Sequence, residues 1–335
     1  MTNCFVLQQP RRNSRASRFF WIAFAVSLAA STHARAQTAP GGGAGQPDQA
    51  SPEKNELTQE APLEELATAD VVRANLETSY LAHPFGIHGL PALLFECSLA
   101  PHFFVRQKSW PFAIVLTPKV VLRMFNEEST PVRSPSFMPR ISVFAWLQKE
   151  VRGEPTVYGS VTLSHHSNGQ AGSFLRDDGS INHEDGSFST NYFEFAMYVT
   201  GFTGQFLGWS SLSLQWHPGF NQDAELRDRY GLLRMHLAST LVADLPLHGQ
   251  LNLRIGAILD RFQRASKNAL TRSLERFPVS LSYSMTLPGI DLGVYLGYFI
   301  GHDYYNIFFD NLVHAFQIGI SGGFAPTLLK SEPSD

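Results

Sequence analysis

A histidine and a serine stand two residues apart at positions 165 and 167, inside the segment Thr156–Ser167, whose side chains alternate in character. Successive side chains of a β-strand point to opposite faces, so residues two apart share a face and are neighbours. An imidazole beside a hydroxyl can remove its proton and make the serine a nucleophile. The spacing therefore predicts His165 as general base and then acid, and Ser167 as nucleophile.

A catalytic imidazole also needs a third group that fixes its tautomer and orientation. Asn191 opens the next segment of strand character, and antiparallel pairing across the intervening loop brings it beside His165. An amide carbonyl can accept the Nδ1 proton without adding charge. Spacing alone does not exclude that these residues are non-catalytic, because Asn168-Gly169 is a common turn pair and polar residues are frequent at strand ends.

The elements that must position these residues are strand-length segments separated by Gly, Pro, Asn and Asp. In Thr156–Ser167 one face is mostly apolar and the other polar, which fits a membrane barrel as well as a half-buried soluble strand. The fold class we predict is all-β, an antiparallel transmembrane β-barrel of about 12 strands. The predicted strands are 81–90, 92–105, 111–124, 138–151, 156–167, 191–200, 207–217, 230–242, 250–262, 271–287, 290–300 and 312–324.

The alternation of apolar and polar side chains predicts that His165, Ser167 and Asn191 all lie on the lipid-facing side of the barrel. Polar groups that face lipid are costly and usually mark a functional site. Short links alternate with longer loops such as 169–189, and we expect the longer ones to face the exterior of the cell.

The N-terminal sequence predicts export. Four arginines, an apolar run Phe19–Ala30 and the sequence Ala34-Arg35-Ala36 have the order of a secretory signal peptide. The predicted divisions are a signal peptide (1–36), a Gly/Pro-rich disordered linker (37–60), a short helical segment (61–78), the barrel (79–324) and a polar tail (325–335).

Composition excludes several classes of function. The net charge of −3 gives no reason to expect nucleic acid as a partner. Cys4 leaves with the signal peptide, so Cys97 has no partner for an internal disulfide and thiolate metal sites are not expected. His217, His236, His248, His302 and His314 are scattered without metal-ligand spacing.

Three blocks of sequence together resemble the calcium-dependent outer-membrane phospholipase A family. Ser164-His165-His166-Ser167-Asn168-Gly169 is similar to its His-x-Ser-Asn-Gly active-site motif, and Ser187-Phe188-Ser189-Thr190-Asn191 to its Ser-x-Ser-x-Asn stretch. Upstream, 126–133 followed by Phe137-Met138-Pro139 is similar to the family's loop before the preceding strand. The resemblance is firm from about Arg123 to Tyr198.

The resemblance implies a serine hydrolase that cleaves acyl esters of glycerophospholipids, with phospholipase A1, phospholipase A2 and lysophospholipase activity, in the outer membrane. It assigns nucleophilic attack to Ser167, proton transfer to His165, orientation of that ring to Asn191 and a backbone oxyanion donor to Gly169. The substrate it implies is membrane phospholipid misplaced in the outer leaflet.

The resemblance also implies Ca²⁺ at the interface of an active homodimer. The metal ligands that it assigns are Ser187 and the carbonyl of Gln170 from one subunit, with Ser129 from the other. Glu184 stands where the family can have an acidic calcium ligand. The alternative is that Glu184 is a solvent-exposed loop residue with no role in metal binding. The loop between Asn168 and Thr190 is longer than the family's, which could reshape the calcium site or abolish it.

Two other functions stay open. A lipid A deacylase also carries a His-x-Ser pair on a barrel exterior and has an acidic third member, for which Glu194 is the nearest candidate. Strand alternation opposes that choice, because Glu194 is predicted to point inward. A non-catalytic barrel or channel is the other alternative, and it requires a wide, water-filled lumen.

Overall fold

The computed structural model describes residues 77–105, 110, 112–148, 156–203, 206–220, 222–244, 248–262, 269–287 and 292–322. The predicted signal peptide, the linker, the helical segment up to residue 76, Phe324 and the polar tail all lie outside the described residues. Within the described part of the chain, no helix is long and apolar enough to cross a membrane.

The described residues form strands of three to fifteen residues. These are β1 (Ser79–His88), β2 (Leu93–Leu99), β3 (Phe103–Val105), β4 (Phe112–Phe125), β5 (Ser136–Gln148), β6 (Thr156–Ser167), β7 (Ser189–Thr203), β8 (Phe206–Trp216), β9 (Leu233–Asp244), β10 (His248–Ile258), β11 (Val279–Thr286), β12 (Leu292–His302) and β13 (Leu312–Gly322).

Antiparallel pairing connects the strands into a closed barrel. Each strand from β4 to β13 pairs with the next, β13 pairs with β1, and β1 pairs with β2. Both β2 and β3 pair with successive parts of β4, so they are two halves of one barrel strand. Pro101 lies in the break between them and has no N–H to donate to a ladder. The predicted barrel of about 12 strands is confirmed.

Side chains alternate across the barrel wall as the sequence predicted. On β6, Val161 and Leu163 are 46% and 43% exposed, whereas Tyr158, Thr162 and Ser164 are buried inside. The exterior of the other strands carries exposed apolar residues as well, including Leu81, Phe85, Leu116, Ile141, Phe195, Leu212, Leu241, Leu281, Leu296 and Ile318. An apolar exterior that surrounds a polar interior is the pattern of a barrel whose outer surface contacts lipid.

The long connections all lie at one end of the barrel, where the short link 89–92 also lies. The long ones, at the end that carries His165 and Asn191, are 126–135, 168–188, 217–232, 259–278 and 303–311. Two of these contain a 3₁₀ turn, Ala224–Leu226 and Asn306–Phe308. Apolar side chains from several long loops pack together across this end, among them Phe174, Ile181, Phe188, Leu226, Tyr230, Ile307 and Phe309.

The lumen is polar and contains a buried ionic network. Arg123 donates two hydrogen bonds to the carboxylate of Asp303, at 2.7 and 3.0 Å, and one to Glu96 at 2.8 Å. Glu96 also accepts hydrogen bonds from the hydroxyls of Tyr80 and Tyr304. Buried charges are tolerated only when they are paired and hydrogen-bonded in this way. A cavity of about 520 Å³ lies beside this network, lined largely by polar side chains.

One predicted strand was wrong over half of its length. The segment 271–287 was expected to be a single strand, but α1 (Ala269–Arg276) occupies its first part and β11 begins only at Val279. Ala, Leu, Arg and Glu are good helix formers, which favours the helix. Pro278 follows and cannot continue it. The guanidinium of Arg276 fastens the helix end to the carbonyl of Ile258 at 2.6 Å.

Candidate active site

The pairing of β6 with β7 sets the geometry of the site. His165 is the cross-strand partner of Asn191, and Ser167 is the partner of Ser189. The ring nitrogen Nδ1 of His165 lies 2.9 Å from Oδ1 of Asn191. His165 and Ser167 are both half-buried at the long-loop end of the outward face of β6. The structure therefore brings the three predicted catalytic residues to one patch of the barrel exterior.

The loop between β8 and β9 supports Asn191 from the other side. The side-chain amide of Asn191 donates a hydrogen bond to the carbonyl of Phe220 at 3.1 Å. Two residues before Asn191, the backbone N–H of Ser189 donates to the carboxylate of Asp223 at 2.6 Å. Partial burial raises the pKa of Asp223, although that N–H bond opposes the shift. Residues 217–232 thus hold the first residues of β7 at two points.

Asn168 organises the long loop that follows the nucleophile. Its side chain is buried, and its Oδ1 accepts hydrogen bonds from the backbone N–H groups of Gln170 and Phe188 at 3.2 and 2.9 Å. Its amide donates to the carbonyl of Gly186 at 2.8 Å. One side chain therefore ties both arms of the loop together. The sequence assigns Asn168 to a turn and to the His-x-Ser-Asn-Gly motif but does not predict these contacts, because nothing local shows which backbone groups its side chain reaches.

Gly169 closes the turn after Ser167 and has a φ of +67°. L-residues with a Cβ rarely adopt this left-handed conformation, and glycine adopts it readily. A Cβ at this position would also lie 3.3 Å from the ring of Phe137. The backbone of the predicted oxyanion donor is therefore confined to a conformation that glycine suits.

The residues assigned to calcium divide into two groups. Gln170 and Ser187 lie on opposite arms of the loop, whose ladder includes a hydrogen bond from the N–H of Ser187 to the carbonyl of Gly172 at 2.9 Å. Glu184 is exposed, and its carboxylate lies 3.3 Å from the guanidinium of Arg176. Ser129 lies in the loop between β4 and β5, exposed and with a φ of +64°. Among the described residues, no group of three or more His, Cys, Asp or Glu side chains could hold a metal.

The loop 168–188 is an ordered hairpin. Hydrogen bonds pair Gly172 with Asp185 and Arg176 with Ser180, each at 2.9 Å. Phe174 and Ile181 are buried among the aromatic residues of the neighbouring loops. The ring of His183 stacks on Phe308, and its Nε2 lies 3.0 Å from Asp310. These contacts pack the loop 168–188 against the loop 303–311.

Glu194, the acidic candidate of the deacylase alternative, lies opposite Thr162 and lines the lumen cavity. It is separated from the outward face of His165 and Ser167 by the barrel wall. This position agrees with the prediction from strand alternation that Glu194 points inward and cannot be the third catalytic residue.

No protein-family model and no curated protein sequence matches this chain. Among solved structures, outer membrane phospholipase A from Escherichia coli is similar, with a TM-score of 0.51 and 14% identity over 74% of this chain and 92% of that chain. The outer membrane phospholipase dimer with bound calcium from Salmonella typhi has a TM-score of 0.52 and 14% identity, over 74% of this chain and 90% of that chain. The described chain thus has the fold of outer membrane phospholipase A, the family whose active-site motifs it resembles.

Proposed function

We propose that this chain is a serine hydrolase of the outer membrane that cleaves acyl ester bonds of glycerophospholipids. The observation that carries the proposal is the 2.9 Å contact between His165 and Asn191 on the outward face of the barrel, beside Ser167. Residues on an apolar exterior are in contact with lipid, so the ester bonds of a phospholipid are the substrate that this position favours. Enzymes with the same fold are phospholipases A.

The proposed chemistry is acyl transfer through the serine. Because Nδ1 of His165 faces Asn191, its Nε2 is the nitrogen that takes the proton from Ser167. The Ser167 oxygen attacks the ester carbonyl, and His165 then gives the proton to the departing alcohol. Water, activated by the same ring, hydrolyses the acyl-serine and releases the fatty acid. Backbone N–H groups near Ser167 and Gly169 would stabilise the oxyanion.

The donor atoms around the loop fit calcium, which prefers oxygen ligands. Ser187 and the carbonyl of Gln170 would hold it, with Ser129 from a second copy of the chain. When bound, calcium supplies positive charge that stabilises the developing oxyanion. A homodimer as the active form rests on the same resemblance, and the calcium-bound neighbour is described as a dimer. Glu184 fits this set poorly, since its exposed carboxylate is beside Arg176.

The test is release of fatty acid from a phospholipid by protein refolded in detergent, with calcium or with a chelator. We expect calcium-dependent release that Ser167→Ala abolishes. Ser160→Ala is the matched control, because Ser160 lies on the same strand and points into the barrel. No release by the folded, unmodified protein would reject the phospholipase. Release from lipid A, or ion conductance across a planar bilayer, would then favour the deacylase or the channel.

A further inference from the structure

The two strands that carry the candidate triad also point buried side chains into the barrel at the same level. His166 lies between His165 and Ser167 on β6, and Thr190 precedes Asn191 on β7. His166 and Thr190 are cross-strand partners, and both are buried, at 3% and 0% exposure. The inner wall behind the site therefore consists of polar groups that need hydrogen-bond partners.

His166 finds its partners in a different part of the chain. Its Nε2 lies 3.2 Å from the hydroxyl of Ser136, at the start of β5. That hydroxyl also accepts a hydrogen bond from the side-chain amide of Asn306 at 2.9 Å, and the same amide donates to the carbonyl of Ser134. The ring of Phe188 packs against His166 edge to face, with ring centroids 4.9 Å apart. A buried chain of contacts thus joins the loop 303–311 to β6.

The conformation of Asn306 indicates how firmly this arrangement is held. Asn306 is fully buried and has a φ of +27°. Residues other than glycine keep positive φ values at a cost of about 1–3 kcal/mol, and they do so only where the surroundings fix them. Its side chain also accepts a hydrogen bond from the N–H of Ile307. The side chain of Asn306 therefore has a donor and an acceptor satisfied in one orientation.

The backbone of β6 connects the buried contacts of His166 to the residues on the outward face. His165 and Ser167 flank His166 on a single extended backbone, so a shift or rotation of His166 moves both neighbours. A displacement of about 1 Å between reacting groups can reduce a rate by about a hundredfold. Supporting residues that lock the orientation of a site are therefore expected behind it.

We propose that His166, held by Ser136 and Asn306, is a positioning residue that sets the mutual orientation of His165 and Ser167. The inference rests on the proposed hydrolase function. It makes the loop 303–311 part of the active-site support, although that loop acts from inside the barrel. His166 touches no substrate and takes no proton from it.

The decisive variant is Ser136→Ala, which removes one hydroxyl and leaves the other side chains in place. Ser142→Ala is the matched control. Ser142 lies on the same face of β5 and is also buried, and its hydroxyl is 2.8 Å from that of Thr162, on β6 below the site. Each variant therefore removes one hydroxyl contact between the same two strands. His166→Gln is the conservative variant, because a glutamine amide can reach the position of the imidazole Nε2.

We expect Ser136→Ala to lower kcat about tenfold with KM within about twofold of the unmodified protein, as loss of orientation predicts. Ser142→Ala should keep both constants, and His166→Gln should keep more of kcat than His166→Leu. All variants should show the unmodified protein's shift in gel mobility on heating, which reports a folded barrel. Equal losses in Ser136→Ala and Ser142→Ala, or none in Ser136→Ala, would overturn the proposal.

A second readout does not depend on hydrolysis. With ¹⁵N-labelled histidine, the His165 ring of the refolded unmodified protein should give signals of one tautomer, with the proton on Nδ1 facing Asn191. Ser136→Ala should produce a mixture of tautomers, and Ser142→Ala should not. An unchanged spectrum in Ser136→Ala would reject the positioning role even if hydrolysis is never detected. Absence of hydrolysis in the unmodified protein would instead reject the proposed function.

Discussion

His165 and Asn191 lie directly opposite each other on adjacent antiparallel strands, with Nδ1 of the ring 2.9 Å from the amide oxygen. The other end of the amide faces the carbonyl of Phe220 at 3.1 Å. A carbonyl can only accept, so the amide nitrogen must face Phe220 and the amide oxygen must face the ring. The contacts thus fix the amide orientation and, with it, the proton on Nδ1 of His165.

Asn191→Ala is expected to lower kcat by about tenfold to a hundredfold, because a hydrogen bond to a group that becomes charged contributes about 1.5–3 kcal/mol. KM should change little, since Asn191 orients His165 and does not hold the lipid. Asn191→Asp keeps the acceptor for Nδ1 but places a carboxylate oxygen against the carbonyl of Phe220. We therefore expect Asn191→Asp to retain more kcat than Asn191→Ala and to unfold at a lower urea concentration. Equal kcat in Asn191→Ala and the unmodified protein would exclude the orienting role.

The sequence predicted the barrel because strand alternation is a local property of the chain. The period of two in Thr156–Ser167 already assigned His165 and Ser167 to one face and His166 to the other. The spacing to Asn191 predicted cross-strand contact because consecutive strands of a barrel pair in order. The predicted strand 271–287 was the exception, because the helix-forming residues of 269–276 and the following Pro278 favour the helix that its first part adopts.

The inner support of the site could not be predicted from the sequence. Asn306 and Ser136 are 170 positions apart and meet only because the barrel closes. The same holds for Phe220, whose contribution to Asn191 is a backbone carbonyl that any residue type could supply. Contacts of this kind leave no pattern in a single sequence.

The calcium dependence of the activity should show which loop residues form the proposed calcium site. Ser187→Ala is expected to raise the calcium concentration needed for half-maximal activity by about tenfold, because it removes one oxygen ligand of the proposed site. Glu184→Gln is the control on the same loop, and its exposed carboxylate pairs with Arg176. We expect Glu184→Gln to change the calcium requirement by less than about twofold, since exposed ion pairs contribute about 0–1 kcal/mol. A larger effect of Glu184→Gln than of Ser187→Ala would indicate that Glu184, and not Ser187, is the calcium ligand.

The ionic network in the lumen should dominate the stability of the barrel. Arg123 is 1% exposed and contacts two carboxylates, so Arg123→Met leaves Glu96 and Asp303 buried without their cation. We expect the free energy of unfolding to fall by about 3–5 kcal/mol, as when one partner of a buried pair is removed. Arg133→Met is the comparison, because Arg133 forms an exposed ion pair with Glu127 and should cost less than about 1 kcal/mol. Urea unfolding of the refolded barrels measures both losses. Similar losses in the two variants would show that the buried network stabilises the barrel no more than an exposed ion pair does.

The stability of the barrel should also fall in acid, through His217. This side chain is 2% exposed, and its Nδ1 lies 3.0 Å from the hydroxyl of Thr190. Burial, with the charge of Arg234 and the proximity of His166, holds the pKa of His217 well below its usual value. An unfolded histidine takes up a proton below about pH 6.5, whereas the folded one stays neutral. The stabilisation from neutral His217 is therefore fully present above pH 6.5 and is lost as the pH falls towards the folded pKa.

His217→Asn isolates this contribution, because the amide can still bond to Thr190 but does not titrate. Between pH 7.5 and pH 5 the unmodified protein should lose up to about 2 kcal/mol more of its free energy of unfolding than the variant does, since each pH unit below the unfolded pKa is worth about 1.4 kcal/mol. Urea unfolding at the two pH values gives the difference directly. Parallel losses in the two proteins would mean that His217 is protonated in the folded barrel, and that the acid sensitivity arises from other groups.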